Sequence, residues 1–199
     1  MSELKRLHTV TLDKDKCIGC ASCIKRCPTE AIRIRNGKAC VIYDKCIACG
    51  ECVRICPSNA KIPSYDKFDI VNNYKYKVAL IAPSFYGQFD DIKDINYILT
   101  AFRNIGFDFV YEVGIGAELV SQVTQRLFAD DKLKKPIIST ACPAVLELVS
   151  QRFENLLGNL LPLLAPVDVA AKLAREKVAK RGVAEEDIGV FFISPCPAT

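Results

Sequence analysis

Eight cysteines fall into two runs of the form C-x2-C-x2-C-x3-C-P. Cys17, Cys20, Cys23 and Cys27 precede Pro28, and Cys46, Cys49, Cys52 and Cys56 precede Pro57. Three thiolates at three-residue spacing let one tight loop wrap three corners of a four-iron cubane. The fourth, four residues on, points away from that loop. Structural zinc also uses C-x2-C pairs, but two uninterrupted four-cysteine runs with no second pair across a long loop suit it poorly. The chemistry is therefore that of 4Fe-4S clusters. Gly19, Ala21, Ala48 and Gly50 stand between the cysteines, where small residues let backbone N–H groups approach cluster sulfur. Ile18, Ile24, Ile32, Ile47, Val53 and Ile55 are expected to form a surrounding apolar shell.

The two runs are one unit repeated, since a shift of 29 residues superimposes all four cysteines and the proline. Between them, Ala31–Arg35 and Lys38–Tyr43 flank Asn36-Gly37, the signature of a hairpin. Residues 7–60 resemble the bacterial dicluster ferredoxin domain. In that arrangement the fourth cysteine of each run serves the other cluster. The resemblance thus assigns Cys17, Cys20, Cys23 and Cys56 to one cluster, and Cys27, Cys46, Cys49 and Cys52 to the other. Cys40, outside both runs, is read as a buried structural thiol.

Composition narrows the rest. Eleven cysteines, an odd number, with no apolar leader at the start favour metal or redox chemistry in a reducing compartment over a secreted disulfide framework. The expected location is cytoplasmic. The most apolar stretch, residues 156–173, is broken by Asn159, Pro162, Pro166 and Asp168, so no membrane span is expected. The single histidine, His8, excludes histidine-rich zinc or copper sites and is read as a surface or strand-edge residue. Residues 1–76 carry 14 Lys/Arg against 8 Asp/Glu, and residues 77–199 carry 13 against 15. The basic excess at the front is read as compensation for anionic clusters, which disfavours nucleic acid as a partner.

These elements predict an α+β dicluster domain over residues 1–60, a polar linker over 61–76, and a domain over 77–199 with a mostly parallel sheet. In the last, KVALIAPSF, FDFVYEV, KPIIST and IGVFFIS read as strands. Helical spacing covers Asp91–Asn104, Ala117–Ala129, Leu146–Leu157 and Pro166–Lys180. Cys142 and Cys196 each follow an apolar run beside proline, in IISTACPAV and FFISPCPAT. Thiols at strand C-terminal ends open onto the crevice where α/β sheets bind ligands. Spacing alone leaves a shared metal site and two unrelated buried cysteines equally open. Gly114-Ile115-Gly116 lacks the third glycine of a dinucleotide loop and reads as a strand–helix turn. Glu112, Glu118 and Glu147 read as solvated charges ahead of proton carriers.

The order VALIAPSF, GAELV, TACPAVLEL, SPCPA after a dicluster domain is similar to the large subunit of the iron-only hydrogenases, over essentially the whole chain. That family holds a cubane bridged to a di-iron centre with a T-S-C-C-P motif, a P-C-x-A-K motif and a third motif bearing two cysteines. The resemblance maps Cys142 and Cys196 onto cubane ligands of the first two motifs. It places Ala141 where the family has a proton-relaying cysteine, and Thr199 where it has a lysine contacting the di-iron ligands. The third motif is not in the sequence, so the implied active-site cluster is incomplete and needs further ligands. The T-A-C-P and S-P-C-P-A variants look like the sensory branch of the family, whose members usually continue into signalling domains. The chain then reads as a fragment or a split gene product.

Three functions follow. The first is an iron–sulfur electron-transfer module of a hydrogenase-like, sensory protein. The second is a hydrogenase active only once another segment supplies the missing ligands. The third is a non-enzymatic redox-signalling or interaction module. The expected partners are a redox protein or other electron donor, and a hydrogenase segment or signalling domain.

Overall fold

The computed structural model describes residues 9–129 and 133–198; His8 and Thr199 lie outside them. In chain order the elements are β1 (Val10–Leu12), α1 (Ser22–Lys25), β2 (Ile32–Arg35), β3 (Lys38–Val41), α2 (Glu51–Arg54), β4 (Lys61–Pro63), β5 (Tyr76–Ile81), α3 (Pro83–Tyr86), α4 (Asn96–Asn104), β6 (Phe109–Glu112), α5 (Val113–Ala129), α6 (Pro143–Arg152), α7 (Pro166–Ala179) and β7 (Ile188–Ile193). Among the described residues, no helix is long and apolar enough to cross a membrane.

The chain forms two compact units. The described residues of the first are 9–66, 142–158 and 196–198; those of the second are 67–129, 133–141 and 159–195. Both Cys142 and Cys196 therefore group with the cysteine-rich unit.

In the first unit the sequence repeat becomes a structural one. Helix α1 maps onto α2 under the 29-residue shift, and β2 maps onto the start of β4. Strands β2 and β3 form an antiparallel hairpin, with Arg35 opposite Lys38. Its turn is Asn36-Gly37, with φ of 50° and 73°, the double positive φ that such tight hairpin turns need. Strand β4, inside the stretch read as a linker, pairs antiparallel with β1, Thr11 lying opposite Ile62.

The second unit is built on a three-stranded parallel sheet in the order β6-β5-β7. Strand β5 is buried on both faces, which explains its unbroken apolar run. Val78 and Leu80 face one core with Phe109, Tyr111, Ile188, and Ala170, Ala174 and Val178 of α7. Ala79 and Ile81 face the other, with Val71, Phe107, Leu99 and Phe102. The register aligns Ile81 with Glu112 and with Ile193, so all three strands end at one edge.

Three local expectations fail in this unit. KPIIST is not a strand: it makes a single bridge, Ile138 to Leu160. Pro136 offers no N–H. The groups that could extend a ladder are used by the loop at 159–163 instead. Ile138 N–H donates to the Asn159 carbonyl at 2.8 Å, and the Thr140 hydroxyl donates to the carbonyls of Leu161 and Leu163 at 3.1 and 2.9 Å. Helix α4 starts at Asn96 rather than Asp91, where the Asp94 carboxylate accepts the Asn96 N–H at 2.9 Å. Helix α5 starts at Val113, directly after β6, so Gly114 and Gly116 are helical and form no turn. Gly116 is buried where α5 meets α7, and a Cβ there would lie 2.9 Å from the Ala170 nitrogen and closer still to the Pro166 carbonyl.

Candidate metal centre

Each cysteine loop is shaped by backbone that only small residues accept readily. Gly19 and Ala21 take φ of 69° and 62°; their counterparts Ala48 and Gly50 take 56° and 75°. Positive φ costs an L-residue on the order of 1 kcal/mol, so the two alanines are strained while the glycines are not. A Cβ at Gly19 would strike the Gly37 carbonyl, and one at Gly50 would strike the Pro197 ring.

These loops place the eight cysteines around two pockets. One is lined by Cys17, Cys20, Cys23 and Cys56. The other is lined by Cys27, Cys46, Cys49 and Cys52. Each pocket thus takes three thiols from one repeat and the fourth from the other. All eleven cysteines lie outside any disulfide. Among the described residues, no three His, Cys, Asp or Glu side chains converge closely enough to hold a single metal ion. Thiols that ring a pocket without meeting at a point fit a four-iron body better than one zinc.

Backbone donors already face the sulfurs. Ala31 N–H donates to Cys27 Sγ and Ala60 N–H to Cys56 Sγ, both at 3.2 Å; Ala39 N–H reaches Cys17 Sγ at 3.4 Å. The hydroxyls of Thr29 and Ser58 lie 3.8 and 3.7 Å from Cys27 and Cys56. Such contacts suit electron-rich thiolate ligands. Burial pushes the Cys23 and Cys49 thiols up, and Cys52 up to about 11. For Cys56 the upward push of burial is outweighed by hydrogen bonds from the Lys61 and Ala60 amides and from Ser58, and its pKa falls. The Ser22 hydroxyl, 3.5 Å from Cys20 Sγ, lowers that thiol.

The apolar shell is narrower than expected. Ile32 and Ile47 are buried, but Ile18 is 69% exposed. Cys40 is exposed, not buried, because β3 alternates and turns Ala39 inward. Cys142 is half-buried at the start of α6, and Cys196 is exposed. Neither lines the two pockets. Glu112 accepts a 3.0 Å hydrogen bond from the Tyr86 hydroxyl, and burial with this bond pushes the tyrosine up. Glu118 and Glu147 are bonded by Gln122 and Gln151 one helical turn on.

One pocket residue escaped the sequence reading. Lys61 is 3% exposed and lines the pocket of Cys17, Cys20, Cys23 and Cys56. The repeat itself carried the signal, because the same shift sets Lys61 against Ile32.

Comparison with known proteins places this geometry. The 4Fe-4S dicluster domain family matches residues 9–57. The family of C-terminal domains from the iron-only hydrogenase large subunit matches residues 75–199. The chain belongs to the iron-only hydrogenase family. It is 26% identical to iron hydrogenase 1 of Clostridium pasteurianum, over 96% of this chain and 38% of that protein. It is 18% identical to the cytosolic Fe-S cluster assembly factor NAR1 of Yarrowia lipolytica, over 96% of this chain and 37% of that one. Ferredoxin-2 of Desulfomicrobium norvegicum is 50% identical over 32 residues, 16% of this chain and 54% of the ferredoxin. A solved FeFe-hydrogenase overlaps with a TM-score of 0.47 at 20% identity, over 66% of this chain and 36% of that one. This hydrogenase-family chain thus spans under two fifths of the two long relatives it matches. Its front carries an iron–sulfur, electron-transferring dicluster domain, followed by an α/β domain.

Proposed function

We propose that the chain is a two-cluster electron-transfer module. In this reading Cys17, Cys20, Cys23 and Cys56 hold one 4Fe-4S cluster, and Cys27, Cys46, Cys49 and Cys52 hold the other. The observation that carries it is the pair of four-cysteine pockets, each completed by a thiol from the opposite repeat. When bound, the clusters supply one-electron redox chemistry. The chain's own residues bind, shield and tune. The thiols give up their protons on binding iron. The Ala31, Ala39 and Ala60 amides donate to ligand sulfur. Buried Ile32 and Ile47 exclude water, while exposed Cys20 and Cys49 leave one edge of each pocket open to a redox partner.

Ala141, at the position of the family's proton-relaying cysteine, favours a sensory role over fast hydrogen turnover, because a methyl group moves no proton. Cys142 and Cys196 line neither pocket, and since two thiolates cannot complete a four-ligand cubane, an active-site cluster would need ligands from elsewhere. Eleven thiols without a disulfide suit a reducing, cytoplasmic compartment. The test is electron counting. Chain reduced anaerobically and freed of excess reductant should deliver about two electrons to an oxidised one-electron acceptor, one per cluster. Delivery of none rejects the proposal.

A further inference from the structure

The two pockets are related by the repeat but differ in charge. Lys61 lines the first, and its ammonium is buried with no hydrogen-bond partner among the described residues. Ile32, its counterpart, lines the second and offers only alkyl surface. A second difference has the same sense. Glu51 lines the second pocket, where Arg54 at 2.7 Å and Arg26 at 3.9 Å partly neutralise it. Its counterpart in the first repeat is the neutral Ser22.

A buried ammonium without a partner is one of the costliest arrangements in a protein unless an anion faces it. Among the described residues no carboxylate is paired with Lys61, whereas the four sulfurs of its pocket become anionic once they ligate iron. The cation's field already reaches this site: after burial, it is the largest influence on the Cys23 thiol, and a lowering one. It is the largest influence after burial on Cys52 as well, so what separates the two pockets is that Lys61 lines only the first.

We propose that Lys61 sets the order of reduction of the two clusters, making the site of Cys17, Cys20, Cys23 and Cys56 the easier one to reduce. This rests on the two-cluster reading above. Net charge around a cluster is one of the determinants of its potential. Reduction adds one negative charge to a site, and the electron comes from a low-potential one-electron donor such as dithionite. The ammonium favours the more negative state, and most strongly in the pocket it lines. Electrons entering the module would then rest on the first site, which gives transfer between the two a direction.

The test compares wild-type chain with Lys61→Met and Lys61→Arg, each purified without oxygen, by iron content and by electron paramagnetic resonance at stepped potentials. Lys61→Met should keep about eight irons. It should lower the reduction constant of the easier site at least tenfold, about 59 mV for one electron, and bring the two potentials together. Lys61→Arg should stay near wild type. A Lys61→Met chain with full iron and both potentials unmoved overturns the inference. A second measurement stands even if that variant loses iron. On stepwise reduction of wild-type chain, the first cysteine β-protons to shift in the nuclear magnetic resonance spectrum should belong to Cys17, Cys20, Cys23 and Cys56; first shifts at the other four overturn it. Wild-type chain with about four irons would remove the two-cluster reading itself, and this inference with it.

Discussion

Gly114 and Gly116 lie two residues apart in α5, yet alanine should act on them in opposite directions. Around Gly114 a Cβ meets nothing within 4 Å, and the backbone is already helical. Gly114→Ala mainly restricts the unfolded chain and should stabilise by about 0.4–1 kcal/mol. At Gly116 the same Cβ would press on the Pro166 carbonyl and lie 2.9 Å from the Ala170 nitrogen and 3.1 Å from its Cβ. Two are helix backbone atoms and the third is a Cβ fixed to the backbone, so none can swing aside as a long side chain can, and α5 and α7 must separate. Overpacking of this kind costs about 1–3 kcal/mol, against which the same unfolded-state gain applies. The two variants should therefore differ by about 2 kcal/mol, which in a chain of this size is about 4–8 °C in melting temperature. Thermal unfolding followed by far-ultraviolet circular dichroism reads the difference. If Gly116→Ala melts at or above Gly114→Ala, the close approach of α5 and α7 is wrong.

Crossed ligation makes a prediction about which half is damaged. Cys56→Ala should empty the pocket of Cys17, Cys20 and Cys23, leaving about four irons per chain, while Cys40→Ser, on an exposed outward position, should leave iron content unchanged; equal iron in both variants would contradict the assignment. The metal-free chain should weaken in alkali. Cys52 is pushed up to about 11 by burial, from an ordinary 9.0. Because its folded value is the higher one, the stability it contributes is complete below the unfolded value and is lost as pH rises through the folded one. Denaturation midpoints should therefore fall between about pH 9 and about pH 11, and a flat profile would refute the burial of this thiol.

The parts of the fold legible in the sequence are those set by local chemistry. The hairpin at Asn36-Gly37 is dictated by backbone needs of two residues. The buried run of β5 and the helical stretch at Pro166–Lys180 follow from periodicity. What escaped depends on partners distant in the chain. KPIIST has strand-like composition, but its hydrogen bonds go to the 159–163 loop. Gly114 and Gly116 look like turn residues because nothing nearby reveals that Gly116 must admit α7. In the site, the cysteine spacing was readable because ligand geometry imposes it. The exposure of Cys40 and Ile18 was not, since each turns on which side of a short strand or loop faces water. Lys61 was hidden for a related reason: its residue type says surface, although the 29-residue shift sets it against the apolar Ile32.

Metal content tests two-cluster binding most directly. Chain purified without oxygen should carry about eight irons and matching acid-labile sulfide. After full reduction its electron paramagnetic resonance spectrum should show two magnetically interacting four-iron signals. Zinc in place of iron, or a single isolated signal from a chain with about four irons, would contradict it.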